Sequence, residues 1–274
     1  MNDPRLTPAR TDVAAAKLKG KVDAERFVEG VPHQVRVGAS VLREAPSFVA
    51  RLETQLLYGE LFDVYDRDDE GWVWGQARLD NYVGYARADS FDTEIHAPTH
   101  RVAVLRTLVF PEPDKKSQPP SPLSLNAKLT ITGFENGFAQ LSRGGWVYAA
   151  HIAPIDERAR DWVTSAEGFV GLPYLWGGKD SSAADCSGIV QTALEAGGLN
   201  VPRDADMQET SVGQPIPLDS KLQRGDLVFW PGHVGLMRSD SELLHANAFH
   251  MQTVIEPLAD AIARNGPPRT IRRP

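Results

Sequence analysis

One cysteine, Cys186, stands in a chain of 274 residues, so no intramolecular disulfide and no cysteine-rich zinc site can hold this protein together. The fold has to rest on a hydrophobic core. A chain of this length with 42% apolar residues can build one, distributed over two or three domains. The thiol itself is either a small buried hydrophobe or a nucleophile. A net charge of −7 argues against a nucleic-acid partner.

The pattern changes twice along the chain. Apolar positions at Val13, Leu18, Val22, Phe27 and Val28 recur at near-helical spacing and predict a helix over 12–29 in an N-terminal arm of residues 1–32. From about 33 to 97, short alternating runs such as Leu61–Asp66, Trp72–Ala77 and Asn81–Ala86 are separated by Gly- and Asp-rich turns, the signature of a small barrel. Residues 98–154 repeat the theme, and the runs 82–91 and 145–152 can be laid over one another, giving a second copy of the module. The proline-rich run 111–122 reads as a loop inside that copy. Beyond 155 the pattern predicts helices over 156–168 and 186–196, then strands over 226–230, 233–237 and 242–246. The whole is two small all-β barrels followed by an α+β domain over 155–274.

Cys186 opens the second of those helices, directly after Asp185. Unpaired N–H groups and the helix dipole at that end favour a thiolate and can hold an oxyanion. His233 begins an apolar strand after Pro231-Gly232, and His245 lies 12 residues on, past a turn. Two antiparallel strands so joined bring the rings together, with His233 as base and His245 fixing its tautomer. Each feature also has a structural reading: a buried cysteine, a solvated histidine, or a pair of metal ligands lacking a well-placed third, for which Asp226 and His250 are weak candidates. The ordered set is what distinguishes the catalytic reading.

The runs Pro173-Tyr174-Leu175-Trp176-Gly177-Gly178, Asp185-Cys186-Ser187-Gly188-Ile189-Val190-Gln191, Pro202-Arg203-Asp204-Ala205, Arg224-Gly225-Asp226-Leu227-Val228-Phe229-Trp230 and His233-Val234-Gly235-Leu236, with Leu244-His245-Ala246, occur in the order found in NlpC-type cell-wall cysteine peptidases, which have a papain-like fold. The resemblance covers about residues 155–255 and implies Cys186 as nucleophile, His233 as general base and acid, and His245 as the orienting third member. The family cleaves the amide between γ-D-glutamate and a diamino acid in peptidoglycan stem peptides. The rest of the chain resembles a subgroup in which two bacterial SH3-like modules precede the peptidase and the first restricts the substrate to peptides with a free N-terminal L-alanine. By that resemblance the ammonium is read by positions matching Glu60, Tyr82, Tyr174, Asp185 and Ser187, with Tyr85 as a rival for Tyr82, and Arg203-Asp204 shape the cleft floor. The subgroup carries a serine where this chain has Ala205, which puts that contact in doubt.

The expected protein is a γ-D-glutamyl–diamino acid (diaminopimelate or lysine) peptidase of the dipeptidyl-peptidase VI type, acting on murein peptides in cell-wall recycling without metal or cofactor. No apolar leader or membrane-length run is visible, so the expected location is the cytoplasm, with no membrane partner. Two alternatives stay open: a secreted or periplasmic endopeptidase acting on intact cell wall, and a cell-wall-binding module on a degenerate peptidase scaffold. Oligomeric state is not legible.

Overall fold

The computed structural model describes residues 3–118 and 121–274. The chain separates into two compact units, one of residues 1–102 and 106–156, the other of 103–105 and 157–274.

The first unit is almost entirely strands. Its main sheet has seven of them, Val31–Val35, Ala39–Arg43, Leu52–Leu57, Leu61–Arg67, Trp72–Ala77, Val83–Arg87 and Phe91–Asp92, with Val31–Val35 pairing with both Leu61–Arg67 and Phe91–Asp92. Alternation along Leu61–Arg67 turns Phe62 and Val64 inward, where they meet Val35, Leu42, Leu56, Val73, Tyr82, Ala86 and Phe91. Residues 98–154 form smaller sheets, including Ile131–Glu135, Phe138–Leu141 and Trp146–Tyr148. Both regions close in the same way. Val83–Arg87 runs through a 3₁₀ turn into Phe91–Asp92, and Trp146–Tyr148 runs through another into Ile152–Pro154.

The N-terminal arm corrects the expectation of a helix over 12–29. Val13–Ala15 pairs in parallel with Arg26–Val28, and only a single 3₁₀ turn lies between. The three consecutive residues Val13, Ala14 and Ala15 are all fully buried, which a half-exposed helix does not allow but a covered strand does. Gly20, at φ +79°, turns the chain where the helix would have continued. The arm is tied to the barrel by Val83 donating to the Arg5 carbonyl and by the Gln76 amide donating to the Leu6 carbonyl. The last two residues of the expected proline-rich loop, Ser121 and Pro122, instead open a strand, Ser121–Ser124; Pro119 and Pro120 fall outside the described residues.

The second unit packs helices α1 (Trp162–Glu167), α2 (Cys186–Ala196), α3 (Ala205–Ser211) and α4 (Leu258–Asn265) with a six-stranded antiparallel sheet. Its strands are β1 (Gln214–Ile216), β2 (Leu227–Trp230), β3 (His233–Met237), β4 (Glu242–Asn247), β5 (Gln252–Pro257) and β6 (Thr270–Arg273), in the order β1-β6-β2-β3-β4-β5. Helix α2 is buried along nearly all of its length, as befits a central helix rather than an amphipathic cover. The expected helix over 156–168 is shorter. Asp161 caps it by accepting from Val163, and the preceding Ala159 N–H is turned away to the Ala196 carbonyl at the end of α2.

Candidate active site

Helix α2 begins at Cys186 because Asp185 adopts an extended backbone and its carboxylate accepts the Gly188 N–H at 2.7 Å, a true N-cap. Gly188 cannot carry a side chain. A Cβ there would come 2.2 Å from the Gly178 carbonyl oxygen, so the loop before the helix lies directly on its first turn. As first residue of the helix, Cys186 keeps an N–H that the helix itself does not use.

The imidazoles come from the sheet. In the β3–β4 ladder Leu236 faces Leu244, and in the β4–β5 ladder His245 faces Val254. By that register His233, His245 and Glu256 step diagonally across three adjacent strands on one face, each two positions out of direct opposition. His233 Nε2 lies 2.8 Å from His245 Nδ1, and His245 Nε2 lies 2.8 Å from Glu256 Oε1 and 2.9 Å from Asn247 Nδ2. Arg264, on α4, pairs in turn with both Glu256 oxygens. Cys186 meets this row at the start of β3: the N–H of Val234, next to His233, donates toward the sulfur, as does that of Ser187.

Electrostatics reverses one expectation. The helix start was expected to lower the thiol pKa. Instead burial, seconded by the Asp185 charge, pushes Cys186 up to about 12, against the opposing pull of the Val234 and Ser187 N–H groups and Arg203. Burial likewise drives His233 down to about 4, helped by its neighbours His245 and Arg264. Both shifts favour a neutral thiol–imidazole pair at rest. Burial also lowers His245. Glu256 lies below the ordinary glutamate value; burial opposes this, and the Arg264 and His245 hydrogen bonds outweigh it.

The other expected residues divide between the units. Ser187 and Arg203 join Cys186 in the second. Arg203, one of the most deeply buried side chains, holds Asp185 through two hydrogen bonds and also donates to Ser187 Oγ and the Gly178 carbonyl. Asp185, expected to meet a substrate amine, has Oδ2 on the Gly177 N–H and Arg203, and Oδ1 on the Gly188 N–H and Arg203. Tyr174 is half-buried, and its pKa is raised by desolvation and by the nearby Cys186 and Asp185. Asp204 stands at the start of α3 without capping it. Glu60, Tyr82 and Tyr85 belong to the first unit. Glu60 is buried after the Gly59 turn. Tyr82 sits in the barrel core with its hydroxyl on Glu53 at 3.2 Å, and the Tyr85 hydroxyl accepts from Arg10.

Sequence reasoning missed Glu256 and Arg264. The signal was present as strand register: once His245 is placed on β4, the next strand must offer a residue on the same face, and Glu256 is the one with chemistry.

Residues 42–91 match the bacterial dipeptidyl-peptidase SH3 domain, and residues 171–264 match the NlpC/P60 family. A gamma-D-glutamyl-L-lysine dipeptidyl-peptidase of Bacillus subtilis is 33% identical over 138 residues, 45% of this chain and 46% of that protein. Dipeptidyl-peptidase 6 of Lysinibacillus sphaericus is 26% identical over 225 residues, 74% of this chain and 82% of its own. The solved structure of an NlpC/P60 family protein from Bacillus cereus superposes with a TM-score of 0.76 over 88% of this chain and 99% of that one, at 21% identity, a likeness of fold. The chain thus joins a bacterial dipeptidyl-peptidase SH3 domain over 42–91 to an NlpC/P60 cysteine peptidase domain over 171–264, and the cysteine–histidine–histidine site lies in the latter.

Proposed function

We propose that this protein hydrolyses the amide between γ-D-glutamate and a diamino acid in short murein peptides that carry a free N-terminal L-alanine. The observation that carries the reading is the row Cys186, His233, His245 in one unit, joined in one chain to an SH3 domain of the dipeptidyl-peptidase kind. The names of the Bacillus and Lysinibacillus relatives support the γ-glutamyl bond and the release of a dipeptide. We read residues 98–154 as a second SH3-like module, on the shared strand–3₁₀–strand ending.

In this account Cys186 attacks the scissile carbonyl as its proton passes to the imidazole of His233, so that a thiolate forms only as the new C–S bond does. The N–H groups at the start of α2 face the developing oxyanion. His233 then gives its proton to the departing diamino-acid nitrogen as the C–N bond breaks. Water, deprotonated by the same imidazole, hydrolyses the L-alanyl-γ-D-glutamyl thioester and restores the thiol. A free peptide as substrate fits a role in cell-wall peptide recycling, and we propose that role, with the cytoplasm as its site.

The test is a comparison of L-Ala-γ-D-Glu-diaminopimelate, its lysine counterpart, the N-acetylated tripeptide and intact sacculi. Cleavage of the free tripeptides, with the blocked peptide and sacculi left whole, is the expected result. Equal cleavage of the acetylated peptide would overturn the free-amine reading, and sacculus digestion would favour a wall endopeptidase.

A further inference from the structure

We propose that Glu256, braced by Arg264, is the positioning residue that sets the tautomers of both active-site histidines and thereby leaves His233 Nδ1 free to take the thiol proton. The inference rests on the hydrolytic reading above, but the derivation uses only hydrogen-bond partners. A carboxylate accepts and cannot donate. With Glu256 Oε1 at 2.8 Å, His245 Nε2 must therefore carry the hydrogen. A neutral His245 then has a bare Nδ1, which accepts across 2.8 Å from His233 Nε2–H. With its hydrogen on Nε2, neutral His233 presents a lone pair on Nδ1, the one ring nitrogen His245 does not occupy.

A second neighbour asks for the opposite arrangement. Asn247 Oδ1 accepts the His250 backbone N–H at 2.8 Å, which fixes the amide so that its NH₂ faces His245 Nε2 at 2.9 Å. An amide donating there needs a bare Nε2, hence a hydrogen on His245 Nδ1 and an accepting His233 Nε2. His233 Nδ1 would then bear the hydrogen and could not receive the proton from Cys186. Glu256 and Asn247 thus compete for one ring nitrogen, and the two outcomes are the competent and the incompetent site. Arg264 tips the balance by pairing with both carboxylate oxygens, keeping Glu256 anionic and turned toward His245. A purely packing role for Glu256 would not be sensitive to Asn247.

The experiment is histidine-selective ¹⁵N NMR of the full chain, with His233 and His245 assigned through H233Q and H245Q, alongside tripeptide kinetics. Wild type is expected to show both rings protonated at Nε2. In Glu256→Gln, Arg264 retains the amide oxygen, the amide NH₂ faces His245, and both rings are expected to switch to Nδ1–H. The kcat falls by about 100-fold or more, as for other triads held in the wrong tautomer, with KM changed by less than about threefold. Adding Asn247→Ala to Glu256→Gln removes a donor that favours the wrong tautomer and is expected to recover about tenfold in kcat. Wild-type rings protonated at Nδ1 would overturn the inference without any variant. So would a Glu256→Gln protein with unchanged ring signals, or one with wild-type kcat. A wild-type protein that shows the Nε2–H rings but leaves every tripeptide uncut would instead overturn the proposed function.

Discussion

Arg203 grips Asp185, the residue immediately before Cys186, with two parallel hydrogen bonds, 2.9 Å to Oδ1 and 2.7 Å to Oδ2. The guanidinium is fully buried and the carboxylate nearly so. The fork fixes the N-cap of α2, and through it the first turn on which Cys186 sits. It also compensates the Asp185 charge, so this carboxylate serves the scaffold before it can serve a substrate amine.

Arg203→Met removes one partner of a buried pair and leaves Asp185 uncompensated, an expected loss of about 3–5 kcal/mol in urea unfolding. Arg203→Lys keeps the charge but not the two-pronged geometry. It is expected to fold with a smaller loss and a lower kcat, because the helix start loosens. Wild-type stability in Arg203→Met would show that the pair holds nothing in place.

The resting thiol gives a second prediction. With burial holding Cys186 up to about 12 and His233 down to about 4, the free enzyme carries little thiolate at neutral pH. The rate of iodoacetamide modification is expected to climb through the alkaline range with no earlier plateau. A plateau already complete by about pH 6 would mean that an imidazolium–thiolate pair is the resting state.

Stability should also depend on pH through His233. Its folded value of about 4 lies below the ordinary 6.5, so the unfolded chain binds the proton first as pH falls. The stabilisation is complete above 6.5, is lost between 6.5 and 4, and changes no further below. The loss from this ring is up to about 3 kcal/mol. Burial lowers His245 in the same direction, so the two act together. Melting temperatures at pH 7.5 and 4.5 check this: wild type is expected to fall further than His233→Gln. An equal fall in both would contradict it.

Gly188 offers a test of the helix start itself. Gly188→Ala drives a methyl against the Gly178 carbonyl, so the loop must move off α2, with an expected loss above about 2 kcal/mol and of most activity. A fully active alanine variant would mean that this close approach is not needed.

Much of the second unit was legible because its signals are local. Asp185 before an apolar helical run marks a capped start, and helix α2 spans the residues expected of it. His233 and His245 open and occupy strands whose connecting turn is explicit in the sequence. What stayed hidden depends on contacts distant in sequence. The arm read as a helix because Val13 and Val28 sit at helical spacing, yet parallel pairing of Val13–Ala15 with Arg26–Val28 and burial on the barrel decided its structure. Glu256 was invisible until strand register put it beside His245. The thiol pKa was misjudged because a helix N-terminus can be read from sequence while the depth of burial cannot.

The most direct test of the central claim is mass-spectrometric product analysis of L-Ala-γ-D-Glu-diaminopimelate incubated with wild type and with Cys186→Ala. Wild type is expected to release L-Ala-γ-D-Glu and free diaminopimelate, and Cys186→Ala to release neither while remaining folded. The same two products from Cys186→Ala, or wild-type cleavage at the L-Ala–D-Glu bond instead, would contradict the assignment of Cys186 as the nucleophile of a γ-D-glutamyl–diamino acid peptidase.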